Sequence, residues 1–370
     1  AKKGEYILLE LKTRVADKPL PECEIVDMRT ELKNGNRSIL SERLQQLIQD
    51  RLDKNQQIIL FINRRGIAGF VSCRSCGYVV KCPHCDVSLS QHAKGRMICH
   101  YCGYEQPAPK ICPKCGSKYI SGFKAGTQKI EEMINMRFPA AGTIRMDYDT
   151  TRKKDSYEKI LQAFRNHEAD ILIGTQMIVK GHDFPDVTLV GVLAADMSLN
   201  VNDYRAAERT FQILTQAIGR AGRGRYPGNA IIQTYEPEHF AIQTAKEQAY
   251  EAFYDKEIEY RKMLRYPPVW NMLVLLITSD EQEEVQNRSE AVAKLIESII
   301  SQSEKKIQMI GPADAGISKI NDVYRKVIYI KTEQYETLVS IKDFVDKSIR
   351  DNIKYKKISL QFDFNPVNGF

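Results

Sequence analysis

Eight of the nine cysteines fall into four Cys-x-x-Cys pairs, Cys73/Cys76, Cys82/Cys85, Cys99/Cys102 and Cys112/Cys115, inside a stretch of 43 residues. A segment that short holds too little apolar surface for a core of its own, and tetrahedral zinc takes four thiolates. The spacing therefore predicts two four-cysteine zinc sites and leaves Cys23 outside them. Nine cysteines in 370 residues are too few for a disulfide scaffold and point to metal in a reducing compartment. Gly77, Gly103 and Gly116 follow three of the pairs, where a backbone free to take positive φ folds tightly around a metal. Thirteen residues, Asp86 to Ile98, separate the second and third pairs and carry a turn signal at Lys94-Gly95. A hairpin there sets Cys82/Cys85 opposite Cys99/Cys102 and leaves Cys73/Cys76 with Cys112/Cys115; on spacing alone, crossed and sequential pairings stay open. A catalytic zinc keeps an open position and usually a His or carboxylate ligand, so the sites read as structural, and His84, His92 and His100 read as surface histidines.

From Cys73 to Tyr119 there are seven basic and two acidic residues, and eight thiolates with two Zn2+ reduce that +5 to about +1. The segment is a staple before it is a DNA clamp. The whole chain carries 54 Lys+Arg against 47 Asp+Glu, a net +7 that fits a polyanion partner without identifying one. Hydrophobic residues at 43% and charged residues at 27% exclude wholesale disorder and a membrane-embedded chain. No run of 18 apolar residues occurs and the N-terminus has no signal-peptide core, so a cytoplasmic location is expected. The chain opens without Met in the strand-like run Tyr6–Leu11, as a fragment of a larger protein would.

Either side of the cysteines the period alternates. Ser41 caps a helix over 41–52 with Leu44, Leu47, Ile48 and Leu52 at helical spacing, and the apolar run Ile58–Ile62 reads as a buried parallel strand ending in Asn63-Arg64-Arg65-Gly66. Helices near 127–138, 154–166 and 204–221 alternate with strands near 143–147, 170–174, 187–194 and 229–234, which predicts a parallel α/β sheet with the cysteine segment inserted into it. From 238 a long charged helical stretch runs to Arg265 and breaks at Tyr266-Pro267-Pro268, with Trp270 behind it as a packing anchor. Strand 270–278, helix 282–302, a short strand near 307–310, strand 323–331, helix 333–350 and strand 357–363 follow. Their order, β-α-β-β-α-β, predicts a ferredoxin-like domain. Basic residues Lys319, Arg325, Lys326, Lys331, Lys354, Lys356 and Lys357 lie near Tyr324, Tyr329 and Tyr355, a mixture suited to DNA or to an ordinary solvated face.

Two further motifs carry chemistry. Gly174-Thr175-Gln176 through Lys180-Gly181-His182-Asp183-Phe184 follows a predicted strand, where ligand loops of parallel sheets lie. Gln216-Ala217-Ile218-Gly219-Arg220-Ala221-Gly222-Arg223 places two arginines three residues apart at a helix end, a pair suited to phosphate.

The order of the Asn63–Gly66 loop and these two motifs resembles motifs IV, V and VI of superfamily 2 helicases. With four Cys-x-x-Cys pairs inserted just after motif IV, the chain is similar specifically to the PriA family of replication-restart helicases, over essentially its whole length. The resemblance implies a RecA-like helicase lobe 2 (1–72 and 119–237, with 1–30 assignable to the tail of lobe 1), a two-zinc insertion (73–118) and a C-terminal DNA-binding domain (238–370). It implies a bacterial, nucleoid-associated 3′→5′ DNA helicase, driven by ATP with Mg2+, that recognises branched or stalled forks and restarts replication. Single-stranded-DNA-binding protein, primosome proteins and the helicase loader would be its partners. Arg223, with Arg220, would be the arginine finger; Gln216, Gly219, Gly181 and Asp183 would complete the nucleotide face. Thr175, Lys180, Asn63, Arg64 and Arg65 would meet the DNA backbone, and Arg325 and Lys326 a fork. Nested zinc pairing is implied as well. The chain departs from the family pattern in one respect: no Gly-x-x-x-x-Gly-Lys-[Ser/Thr] and no Asp-Glu-x-His box occurs. By the family's domain order these would precede residue 1, so this chain alone is expected to be inactive as an ATPase. Asp280-Glu281-Gln282, superficially a metal-binding box, reads as a helix start. The competing reading, a non-enzymatic zinc protein that binds nucleic acid, leaves the Gln216–Arg223 motif without a purpose, and a thiol redox protein would lose its reactive thiolates to zinc.

Overall fold

A computed structural model describes the chain apart from residues 2–3, 10–17, 63–69, 85–86, 93–94, 101, 123–125, 180–182, 202, 351–356 and 368–370. In chain order the elements are β1 (Glu22–Asp27), α1 (Met28–Lys33), α2 (Glu42–Asp53), β2 (Gln57–Ile62), then the short strands β3 (Val71–Cys73), β4 (Ser90–Gln91), β5 (Arg96–Ile98), β6 (Glu105–Pro107) and β7 (Ile120–Gly122). Next come α3 (Thr127–Arg137), β8 (Thr143–Met146), α4 (Ser156–Arg165), β9 (Ile171–Gly174), β10 (Val187–Leu193), α5 (Asp196–Leu199), α6 (Ala206–Ile218) and β11 (Asn229–Thr234). The remainder is α7 (Phe240–Glu247), α8 (Tyr250–Leu264), β12 (Asn271–Ser279), α9 (Gln282–Ser301), β13 (Ile307–Ile320), β14 (Val323–Thr332), α10 (Tyr335–Arg350) and β15 (Ser359–Phe364).

The chain forms two compact units. The first, Ala1–Arg65, Lys124–Ser198 and Arg209–Ala249, is built on a six-stranded parallel sheet in the order β1-β11-β10-β2-β9-β8. The central strands β2 and β10 are buried along their whole length, as parallel strands covered on both faces must be. Helix α2 starts where the sequence places it, with the Ser41 hydroxyl accepting from the Leu44 amide at 3.1 Å. Its Leu44 reaches so close to the sheet that a Cβ on Gly191 would stand 3.0 Å from the leucine Cδ1, so β10 needs glycine there. Strand β1 has no counterpart in the sequence reading; it forms the sheet edge on β11, while the Tyr6–Leu9 run is exposed and in no strand.

The second unit comprises Gly66–Phe123, Leu199–Glu208 and Tyr250–Phe370. Its antiparallel sheet has the order β13-β14-β12-β15, the ferredoxin-like arrangement expected from the β-α-β-β-α-β order. Strand β13 runs on to Ile320, longer than the short strand expected near 307–310, because it pairs with β14 through two register shifts up to a turn at Asn321-Asp322. The expected single helix before Arg265 is two helices, divided at Gln248 and Ala249 after a left-handed Gln248 with φ 52°. The proline break, the buried Trp270 and the start of α9 at Gln282 agree with the sequence reading.

Strand β12 is an uninterrupted apolar run because both faces of this sheet are covered. Leu273, Leu275 and Ile277 join Ile328 and Ile330 beneath α9 and α10. Met272, Val274 and Leu276 join Val327 and Tyr329 in a core with Val80, Leu89, Met97 and the cysteines of the zinc-type module. The cysteine module, expected as a separate insertion, thus shares one core with the C-terminal sheet. Lys331 and Tyr329, grouped above with potential DNA contacts, are buried; Lys331 is 2% exposed with Nζ 3.6 Å from the centroid of the Tyr266 ring.

A charged network closes this unit. Arg261, 7% exposed, donates to Glu257 Oε1 at 2.8 Å, Glu208 Oε2 at 2.8 Å and the Pro267 carbonyl at 3.0 Å, and Glu257 is only 5% exposed. Arg261→Met is expected to cost about 3–5 kcal/mol, because it leaves the Glu257 carboxylate buried without its cation. A fall in the urea midpoint of the second unit measures this, and an unchanged midpoint would show that the network is energetically idle.

Candidate functional site

In the first unit the helix α6 ends in a tight turn that presents the motif. Gly219 N and Arg220 N close on the Thr215 and Ala217 carbonyls at 3.0 Å, and Gly222 then takes φ +68°. A Cβ on Gly222 would strike the backbone of Gly228, and one on Gly224 that of Pro185, so no side chain fits at either position. Arg223 leaves this turn with its Nε on the Gly219 carbonyl at 2.8 Å and Nη1 3.6 Å from Asp183 Oδ1. Arg220 stands beside it; burial first, then the Arg223 charge, pull its pKa below the ordinary guanidinium value. Two adjacent guanidiniums, one weakly held by an exposed carboxylate, have the charge and donor geometry that suit a doubly charged phosphate. Gln216 is exposed on the last turn of α6. The structure therefore brings Arg223, Asp183 and Gly219 together; Gly181 lies outside the described residues.

The carboxyl end of the sheet carries the second group. Thr175 follows β9 directly, its amide on the Met146 carbonyl at 3.3 Å, and opens a 3-10 turn over Gln176–Val179. Asn63, Arg64, Arg65 and Lys180 lie outside the described residues. In the second unit Arg325 donates to the Ile317 carbonyl at 3.1 Å, and Lys326 pairs with Asp314 at 3.0 Å. Both are thus spent within the β13–β14 hairpin, and contact with DNA would have to displace these partners.

The cysteines form two clusters. Cys73, Cys76, Cys112 and Cys115 have all four sulfurs within 4.8 Å of one another, with Cys73–Cys115 and Cys76–Cys112 at 3.7 Å. Zn–S bonds of about 2.3 Å in a tetrahedron put sulfurs about 3.8 Å apart, so these fit the metal. Cys82, Cys99 and Cys102 form the other cluster, with Cys82–Cys102 at 3.5 Å; Cys85 lies outside the described residues. The nested arrangement is the one observed. Three pairs share one knuckle: the amides of Gly77, Gly103 and Gly116 donate to the carbonyls of Cys73, Cys99 and Cys112 at 2.9 Å, each glycine at φ between 71° and 77°. Burial pushes the Cys76 thiol up to about 12, whereas at Cys112 burial is outweighed by the Cys115 and Lys114 amides and the thiol falls to about 7. Four such groups ionise together only around a cation. His100 is not a surface residue as expected; it is buried, with Nε2 3.0 Å from His92 Nε2 across the β4–β5 hairpin.

Three family models match in chain order: the PriA DNA helicase Cys-rich region domain over residues 82–107, the helicase conserved C-terminal domain over 120–225, and the primosomal protein N C-terminal domain over 262–367. The replication restart protein PriA of Bacillus subtilis (strain 168) is 44% identical over 367 residues, 99% of this chain and 45% of that protein. That of Synechocystis sp. is 49% identical over 328 residues, covering 87% and 39%, and that of Chlamydia trachomatis 36% over 374 residues, covering 99% and 48%. The chain belongs to the PriA family. It spans about half the length of the curated PriA proteins it matches. The helicase-domain match holds the motif turn and Thr175, and the two PriA-specific matches hold the second zinc-type cluster and the ferredoxin-like sheet.

Sequence reasoning passed over one part of this PriA lobe. The buried Asp147, at the end of β8, accepts from Thr127 Oγ1 at 2.5 Å and from the Asp149 and Thr150 amides at 3.0 Å. Its Asp-Tyr-Asp-Thr-Thr string is an Asx-turn signal that was legible. No helix among the described residues is long and apolar enough to cross a membrane.

Proposed function

We propose that this chain is the second motor lobe, zinc module and C-terminal DNA-binding domain of an ATP-dependent 3′→5′ DNA helicase that recognises stalled or branched replication forks and restarts replication by primosome assembly and helicase loading. The observation that carries the reading is the turn that holds Arg223 beside Arg220, on the Gly219 carbonyl and 3.6 Å from Asp183. ATP with Mg2+ would be gripped by a lobe that this chain does not contain, and Arg223 would leave Asp183 to meet the γ-phosphate. Gln216, Gly181 and Gly219 would line the same face. Two structural Zn2+ would be held by Cys73, Cys76, Cys112 and Cys115, and by Cys82, Cys85, Cys99 and Cys102. They supply cross-links that fix the module. Thr175, Lys180, Asn63, Arg64 and Arg65 would position the DNA backbone, and Arg325 and Lys326 the branch. We draw the domains at 1–72 with 119–237, 73–118 and 238–370. Single-stranded-DNA-binding protein, primosome proteins and the helicase loader are the partners, and the nucleoid at forks the location.

Strand displacement by the full-length protein tests this. Forks and tailed duplexes of equal length are compared with and without ATP. ATP-dependent displacement from a 3′ tail, with forks preferred, is expected, and this chain alone should hydrolyse no ATP. Displacement that ignores ATP, or a duplex bound as tightly as a fork across a salt series, would sink the proposal.

A further inference from the structure

Tyr148 is 71% exposed at the carboxyl end of β8, yet the loop beneath it is tied down by a set of short-range hydrogen bonds centred on Asp147. The buried Asp147 spends its carboxylate on Thr127 and on the Asp149 and Thr150 amides, and its carbonyl takes the Thr150 and Thr151 hydroxyls at 3.1 and 2.7 Å. Arg145 braces the same carboxylate at 3.1 Å. An exposed aromatic ring on a loop held this rigidly is placed, not merely tolerated. Arg152 lies with its guanidinium carbon 4.9 Å from the Tyr148 ring centroid, and Lys153 and Lys154 follow it, all exposed. Its link to Asp149 is only 3.9 Å and exposed, a pairing that a phosphate would readily replace. Strand β8 is the neighbour of β9, so this loop adjoins Thr175: Thr151 Oγ1 lies 3.8 Å from Met177 Sδ, and the Thr175 amide is on Met146 O.

We propose that Tyr148 is a stacking platform for one base of single-stranded DNA, and that Arg152 takes the adjoining phosphate. The inference rests on the reading that a strand runs over the carboxyl ends of this sheet past Thr175. A flat ring and a guanidinium side by side match a base and its backbone without reading sequence, which suits a strand that must slide. The loop's rigidity supplies the ordering in advance, so stacking costs little conformational freedom.

The test is anisotropy and fluorescence of 2-aminopurine-substituted oligo(dT) with the full-length protein and its variants. Tyr148→Ala is expected to weaken binding about fivefold to a hundredfold and to relieve the 2-aminopurine quenching, while Tyr148→Phe keeps both. Arg152→Ala should lower the salt slope by about 0.7, the loss of one single-strand phosphate contact. If Tyr148→Ala binds like the parent while Thr175→Ala is weakened, or if Tyr148→Phe loses as much as Tyr148→Ala, the platform is refuted and the strand path stands. If neither Tyr148→Ala nor Thr175→Ala changes binding, the strand path itself is refuted.

Discussion

Arg223→Ala in the full-length protein is expected to lower the ATP turnover number by about 10³–10⁵-fold, the worth of an arginine that meets charge developing on a transferred phosphoryl group. Affinity for DNA should stay close to that of the parent, since the side chain stands on the α6 turn with Gly219 and Asp183 as its neighbours. Two companions sharpen the result. Arg223→Lys should restore little, because a point charge lacks the planar fork. Asp183→Asn removes the carboxylate that stands 3.6 Å from Arg223 Nη1, and it should change turnover far less than loss of the arginine. Turnover by Arg223→Ala equal to that of the parent would remove Arg223 from the phosphate site and leave Arg220 as the candidate.

Stripping zinc is expected to unmake the core of the whole second unit and not the cysteine module alone. Structural zinc contributes about 10–16 kcal/mol in small zinc peptides, so the module cannot keep its knuckles without it. One face of β12, through Met272, Val274 and Leu276, has that module as its cover. Hydrogen exchange reads the outcome. After chelation, amides of β12 and β14 should lose protection, while β10 and β2 of the parallel sheet keep theirs. Retained protection across β12 and β14 would mean that helices α9 and α10 hold the sheet unaided, and that zinc is local to the loops.

The parallel sheet was legible because its strands are buried on both faces and read as short apolar runs between amphipathic helices. Ile58–Ile62 and Ile171–Ile173 need no tertiary information to be recognised. Strand β1 was missed because Glu22 to Asp27 alternates charge with modest apolar residues, as an edge strand does. The hairpin signal at Lys94-Gly95 favoured nested cysteine clusters but left crossed and sequential pairings open; nesting was implied by the family resemblance, and the clusters observed agree with it. What covers the sheet's second face was not legible. The pattern Met272–Ile277 says that β12 is buried twice, yet nothing in it names a segment far upstream as the cover. Lys331 misled for the same reason: its charge suggests solvent, and only the fold reveals Tyr266 beneath it. Arg223 stands in a motif that the sequence displays, whereas the surroundings of Tyr148 are set by the neighbouring loop of β9, which no local pattern announces.

The shared core also sets a timetable. Roughly 150 residues separate the cysteine module from the strand it packs on, so at about 5–20 residues per second the ribosome delivers β12 about eight to thirty seconds later. During that interval Val80, Leu89 and Met97 have no sheet to cover them. Metal captured early would keep the nascent module ordered, and out of reach of other chains, until its partner emerges.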